Sequence, residues 1–178
     1  MPQNLGSTDL KRLHREWRRR TGGRLAVALD GVQGPFNVGA IVRSAAAYRA
    51  EHLWLTEGST GPDNAKVGKT ALGTDRFVTV TTLPDATAVV AAAHDVGFRV
   101  VGVELATGAA PLHELDLGGD VCLMVGHEDR GLSRAGLDAC DAIGFLPQLG
   151  RVGSLNVATA ASIAMYEWAR QQWSASDE

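Results

Sequence analysis

Short apolar runs and longer helically spaced segments alternate along this chain. The runs over 25–29 (LAVAL), 52–56, 77–81 (FVTVT), 98–105, 121–125 (VCLMV) and 142–146 read as strands. Helical spacing fills the gaps over 37–50, 65–72, 84–96 and 133–139, and a long amphipathic helix is predicted over 154–173. Asn37 stands where an N-cap belongs, Pro84 where a helix starts, and Gly97 where it stops. Strands that are apolar throughout are covered on both faces. The pattern predicts an α/β fold: a mainly parallel sheet with helices on both faces. No internal repeat interrupts it.

Composition narrows this picture. The 178 residues are 45% hydrophobic and 21% charged, the profile of one globular domain with a sizeable core. No apolar stretch approaches the roughly 20 residues of a membrane span. The basic N-terminus is not followed by the apolar run of a secretory signal. Cys122 and Cys140 match no metal or redox spacing and read as buried, reduced thiols of a cytoplasmic protein. The net charge of −3 hides a polarity. Residues 1–25 carry seven basic groups against Asp9 and Glu16, a net +5, and the rest carries −8. A basic extension over 1–24 is thus set apart from a domain over 25–178. Such a block is either an arm for a polyanion or a solvated helix face.

Ligands of parallel sheets bind at loops beyond the carboxyl ends of the strands. Three such loops are unusual. The first, Gly34-Pro35-Phe36-Asn37-Val38-Gly39, leads to Arg43. The second, Gly126-His127-Glu128-Asp129-Arg130-Gly131, places charged groups between two glycines directly after an apolar strand. Glycines there let the backbone approach a ligand. The third runs from Leu146-Pro147-Gln148 to Ser154-Leu155-Asn156, where Ser154 is placed to cap the last helix and Asn156 to face the loop. The patterns GxGxxG, GxxxxGK[ST] and GxSxG are absent, which removes the ordinary dinucleotide site, the P-loop and the hydrolase elbow. No His/Cys/carboxylate cluster has metal-ligand spacing, so no metal is expected.

Together the three loops resemble the motifs of the SpoU (TrmH-like) class of SPOUT RNA methyltransferases, over roughly residues 25–173. Within it, the stretch from Pro35 to Ala47 and the Ser154-Leu155-Asn156-Val157 run are most similar to tRNA guanosine 2′-O-methyltransferases. The resemblance implies a C-terminal deep trefoil knot, a homodimer with its active site at the subunit interface, and S-adenosylmethionine as cofactor. It implies cofactor contacts near Val103, Glu104, Met124, Gly126, Leu146, Ser154 and Leu155, and a catalytic set of Arg43, Asn37, Glu128, Ser154 and Asn156. Gln148 departs from the pattern, because the family often has Met there. Ribosomal RNA as substrate, or a knotted RNA-binding protein without activity, are the competing readings.

Methyl transfer to a ribose hydroxyl needs the hydroxyl in line with the methyl, a route for its proton and balanced charge. The resemblance casts the arginine as general base, but an arginine's ordinary pKa lies far above working pH. Arg43 is therefore expected to position the hydroxyl and stabilise the developing alkoxide, held by Asn37, Glu128, Ser154 and Asn156. In the N-terminal segment, Arg12, Arg15, Arg18, Arg19 and Arg20 are candidate phosphate contacts. Trp17 is expected to pack on the domain rather than stack on a base.

Overall fold

The sheet is built from seven strands: β1 (Leu25–Asp30), β2 (His52–Thr56), β3 (Thr79–Leu83), β4 (Arg99–Val103), β5 (Ala110–Pro111), β6 (Val121–Gly126) and β7 (Ala142–Phe145). Every pairing is parallel, in the order β3-β2-β1-β6-β4-β7-β5. The computed structural model describes residues 1–174, so the last four residues of the expected 25–178 domain lie outside the described residues. Among the described residues six α-helices accompany the sheet: α1 (Ser7–Arg19), α2 (Pro35–Ala47), α3 (Ala65–Ala71), α4 (Ala86–Asp95), α5 (Arg134–Ala139) and α6 (Val157–Ser174).

All six residues of β1 and all six of β6 are buried. Their side chains alternate between two cores, as strand geometry requires. Leu25, Val27 and Leu29 pack with Ile41 and Val42 of α2, Val67 of α3, and Met165 and Trp168 of α6. Ala26 and Ala28 pack with Val89, Val90 and Ala93 of α4. Two-sided burial thus explains strands without polar alternation. At the entry of this central pair, the Arg24 amide donates to Asp120 Oδ1 at 2.8 Å, and its Nε donates to Oδ2 at 2.8 Å. The Arg24 hydrogen bond outweighs desolvation and holds the Asp120 carboxyl below its ordinary range.

Several predicted boundaries move for local reasons. The helix expected from Asn37 begins at Pro35, with Gly34 at its N-cap. Proline's fixed φ and missing N–H suit the first helical turn, and Asn37 is left free of capping. The strand expected over 77–81 starts at Thr79 instead, because Thr74–Phe77 forms a 3₁₀ turn after Gly73 at φ +72°. Pro84 precedes α4, whose cap is Asp85, accepting the Ala88 amide at 2.9 Å. Ser154 does not cap the last helix. Asn156 does, its Oδ1 accepting from the Ala158 and Thr159 amides. The short edge strand β5 and the helix α1 were not predicted.

None of the residues of α1 is buried. It is attached through Trp17, whose ring lies 4.7 Å from that of Trp173 on α6. Trp173 Nε1 donates to Thr21 Oγ1 at 2.9 Å, and the Arg20 guanidinium sits over the Trp17 ring. Trp17 is therefore a packing residue, as expected.

Candidate functional site

In a wholly parallel sheet the carboxyl ends of the strands share one edge, and here that edge gathers the three loops singled out in the sequence. Glu128 Oε1 accepts from the Gly34 amide at 2.7 Å and from Asn37 Nδ2 at 3.0 Å. Its Oε2 accepts from the Gln33 amide at 3.1 Å. Asn37 Oδ1 in turn accepts from Asn156 Nδ2 at 2.9 Å. One carboxylate and two carboxamides thus tie the loops after β1, β6 and β7 into one unit. Burial works to raise the Glu128 pKa, but the bonds from Asn37, Gln33 and Gly34 win and hold it below the usual carboxylate range. This stabilisation is complete above the ordinary glutamate pKa and is lost only as pH falls through the lowered one.

The second loop is a tight hairpin. The His127 amide donates to Gly131 O at 2.9 Å, and the Gly131 amide donates to His127 O at 2.8 Å. Gly131 adopts φ +67°, and a Cβ there would meet Glu104 Oε2 at 2.2 Å. Glu104 braces the hairpin: Oε2 accepts from the Leu132 amide and Oε1 from the Leu105 amide, each at 3.0 Å. Asp30, buried at the end of β1, accepts from the Ser133 amide at 2.7 Å. Asp30 was overlooked in the sequence, although an acidic residue ending an apolar strand was a usable signal.

Between the hairpin and the loop after β7 lies a cavity of about 310 Å³. Of the expected cofactor contacts, Val103, Glu104, Gly126, Leu146, Ser154 and Leu155 line it. Met124 does not. It is fully buried in the core on the α4 side, its Sδ 3.9 Å from Cys140 Sγ. The reason is strand alternation, which turns Val125 toward the cavity and Met124 away. The expected set of buried thiols needs the same care: Cys122 is buried, whereas Cys140 is only partly so. Burial, with Asp141 and Asp30 nearby, pushes the Cys140 thiol up to about 12. Gln148 also lines the cavity, and its Oε1 is buried with no hydrogen-bond partner among the described residues.

Arg43 lies apart from this cavity. It is exposed on α2, and neither Asn37, Glu128, Ser154 nor Asn156 hydrogen-bonds it within the chain. Within the chain, Glu128 and Asn37 hold backbone and each other instead. Arg43 continues a helical stripe with Phe36 and Ala40, which line a shallow apolar groove between α2 and α6 together with Ile163 and Tyr166. Phe36 is 61% exposed and Tyr166 51%. On α1, Arg12, Arg15, Arg18 and Arg19 are exposed, and Arg20 is half-buried against Trp17. Among the described residues, no group of His, Cys, Asp and Glu is placed to hold a metal ion, and no helix is long and apolar enough to cross a membrane.

Comparison with known proteins matches these features to a family. The SpoU rRNA Methylase family model matches residues 24–166. An uncharacterized tRNA/rRNA methyltransferase of Mycolicibacterium smegmatis is 36% identical over 148 residues, 83% of this chain and 47% of its own length. The chain spans about half the length of the curated relatives it matches. Among solved structures, the SpoU methyltransferase AviRb from Streptomyces viridochromogenes, in complex with AdoMet, superimposes with a TM-score of 0.77 at 29% identity. That alignment covers 85% of this chain and 61% of AviRb. A structure described for 2-OH methylation of C/U34 on tRNA gives a TM-score of 0.74 at 30% identity, covering 84% of this chain and 96% of that one.

Proposed function

The chain belongs to the SpoU rRNA Methylase family, and from that premise we propose that it transfers a methyl group from S-adenosylmethionine to a ribose 2′-hydroxyl of RNA, with tRNA as the substrate. The observation that carries this reading is the Glu128–Asn37–Asn156 chain of hydrogen bonds, which assembles three loops beside one cavity of mixed polar and apolar lining. The residues present fit the cofactor. The cavity has the volume of a small-molecule site, Phe145, Leu146 and Leu155 offer walls to a flat base, and Gln148 Oε1 offers a buried acceptor.

The cofactor supplies an electrophilic methyl group on a sulfonium centre. The chain does the rest. Val103, Gly126, Leu146, Ser154 and Leu155 hold the cofactor, while Glu104 holds the wall itself through the Leu105 and Leu132 amides. Arg43 donates to the ribose oxygen and stabilises its developing charge, while the hydroxyl proton passes to solvent water and the cofactor would leave as the neutral thioether S-adenosylhomocysteine. Glu128, Asn37 and Asn156 keep the loop mouth in shape, and Ser154 at the rim contacts the substrate.

The reading includes a homodimer. The exposed apolar groove of Phe36, Ile163 and Tyr166 supports it, because Arg43 lies on the same stripe and would face the cavity of a second copy. It also includes the C-terminal knot. In support, β7 lies in the sheet between β4 and β5, two strands that precede it in sequence. A crystallographic trace through 146–156 checks the crossing.

The test is transfer of labelled methyl groups to unmodified total tRNA and to ribosomal RNA. We expect label in tRNA, released on digestion as a 2′-O-methylnucleoside whose base identifies the target as guanosine or a pyrimidine. Label confined to ribosomal RNA would keep the chemistry and overturn the substrate. No transfer to either pool would leave the inactive RNA-binding reading.

The segment 1–24 is proposed as an RNA-docking arm appended to the 25–178 domain, with Arg12, Arg15, Arg18, Arg19 and Arg20 on phosphates. Replacing Arg12, Arg15 and Arg19 by alanine is expected to weaken RNA binding and to flatten its dependence on log salt by about 2, at roughly 0.7 per lost phosphate contact. An unchanged slope would return the arm to a solvated face.

A further inference from the structure

Gln148 stands out in the cavity wall. Its Oε1 is the one buried side-chain oxygen or nitrogen without a hydrogen-bond partner among the described residues. A carboxamide oxygen is a two-lone-pair acceptor, and burying it unpaired forfeits its hydration with nothing in return. Of the other side-chain acceptors that line the cavity, those of Glu104, Glu128 and His127 Nδ1 are taken within the chain. Both Glu104 oxygens accept backbone amides. Both Glu128 oxygens accept from Gln33, Gly34 and Asn37. His127 Nδ1 accepts the Asp129 amide at 3.0 Å. Gln148 makes no cap and no turn bond that would account for its placement, and it shares the cavity lining with the apolar Phe145, Leu146 and Leu155 and with the charged hairpin 127–130.

We propose that Gln148 reads the base of the cofactor, its Oε1 accepting a hydrogen bond from the exocyclic amino group of adenine. The inference rests on the cofactor reading above and adds a specificity residue to it. A neutral amide oxygen suits an uncharged N–H donor. The ammonium of the methionine half finds a stronger partner in a carboxylate of the same cavity lining, Asp129, than in a neutral amide.

The test is calorimetric and needs no turnover. S-adenosylhomocysteine and its 6-desamino purine analogue are titrated into the wild type and into Gln148→Met, which keeps the length of the side chain but loses the acceptor. The wild type is expected to bind the analogue about tenfold more weakly, the worth of one buried hydrogen bond. Gln148→Met is expected to bind S-adenosylhomocysteine about tenfold more weakly than the wild type does, and to bind the two compounds equally within about twofold. Its melting temperature is expected to hold or rise, because an unpaired buried acceptor is gone. A Gln148→Met protein that keeps the wild-type preference for the amino group overturns the proposal, as does a wild type without that preference. Failure of the wild type to bind either compound would overturn the cofactor reading, and the role of Gln148 with it.

Discussion

Arg43→Ala is expected to lower the rate of methyl transfer by about 10²–10³-fold, the usual loss when one donor to a developing oxyanion is removed. Cofactor affinity and stability are expected to stay at wild-type values. Arg43 is exposed, and no side chain of the cavity bonds to it, so its removal orphans nothing in the folded chain. Exposed positions of this kind change stability by less than about 0.5 kcal/mol. Arg43→Lys keeps the charge but not the planar fork, and is expected to recover only part of the rate. Near-normal turnover of the lysine variant would count against a geometric role. The exposure of Arg43 on α2, apart from the cavity of its own chain, adds a sharper outcome. If Arg43 serves the cavity of a second copy, then mixing Arg43→Ala subunits with Glu128→Ala subunits rebuilds one intact site per mixed dimer. Random mixing then restores up to about a quarter of the wild-type sites. No recovery on mixing would place Arg43 and Glu128 in the service of the same chain's site.

Gly126→Ala is expected to be the most damaging single methyl group in the site. A Cβ at Gly126 would stand 2.1 Å from Gly131 C and 2.2 Å from Leu132 N. Both are backbone atoms, so no side chain can swing away. The His127–Gly131 hairpin must move, or β6 must shift against Asp30 of β1, its partner in register. Overpacking of this kind destabilises by about 3 kcal/mol, or roughly 6–12 °C in Tm for a chain of this length. Moving the hairpin also pulls Glu128 from the Gln33 and Gly34 amides, so cofactor binding and turnover should fall together. Gly150→Ala is the control. A Cβ there meets nothing within 4 Å, and its Tm is expected to match the wild type. Equal effects at the two glycines would mean that the hairpin yields freely.

The sheet was legible because strand character lies in adjacent residues. LAVAL and VCLMV can only be covered on both faces, and they became the central pair β1 and β6. The three loops were legible because glycine, proline and asparagine at strand ends have few other uses. Element edges were less so. Whether Pro35 or Asn37 opens α2, and whether Ser154 or Asn156 caps α6, depends on which side chain has a better partner elsewhere. Asn156 holds two amides of its own helix and also donates across to Asn37, a bond between residues 119 apart.

What the amino-acid sequence determined by itself is therefore the class of fold and the three segments that carry the site, since both follow from short-range pattern and residue type. What only the tertiary structure decided is how those residues are shared out. It gave Glu128 to Gln33, Gly34 and Asn37, turned Met124 into the far core, left Gln148 with a buried acceptor, and set Arg43 exposed on α2, apart from the cavity. Each of these turns on the distance between groups far apart in the chain. Hydrogen bonds act over about 3 Å, and no spacing along the sequence encodes such a distance.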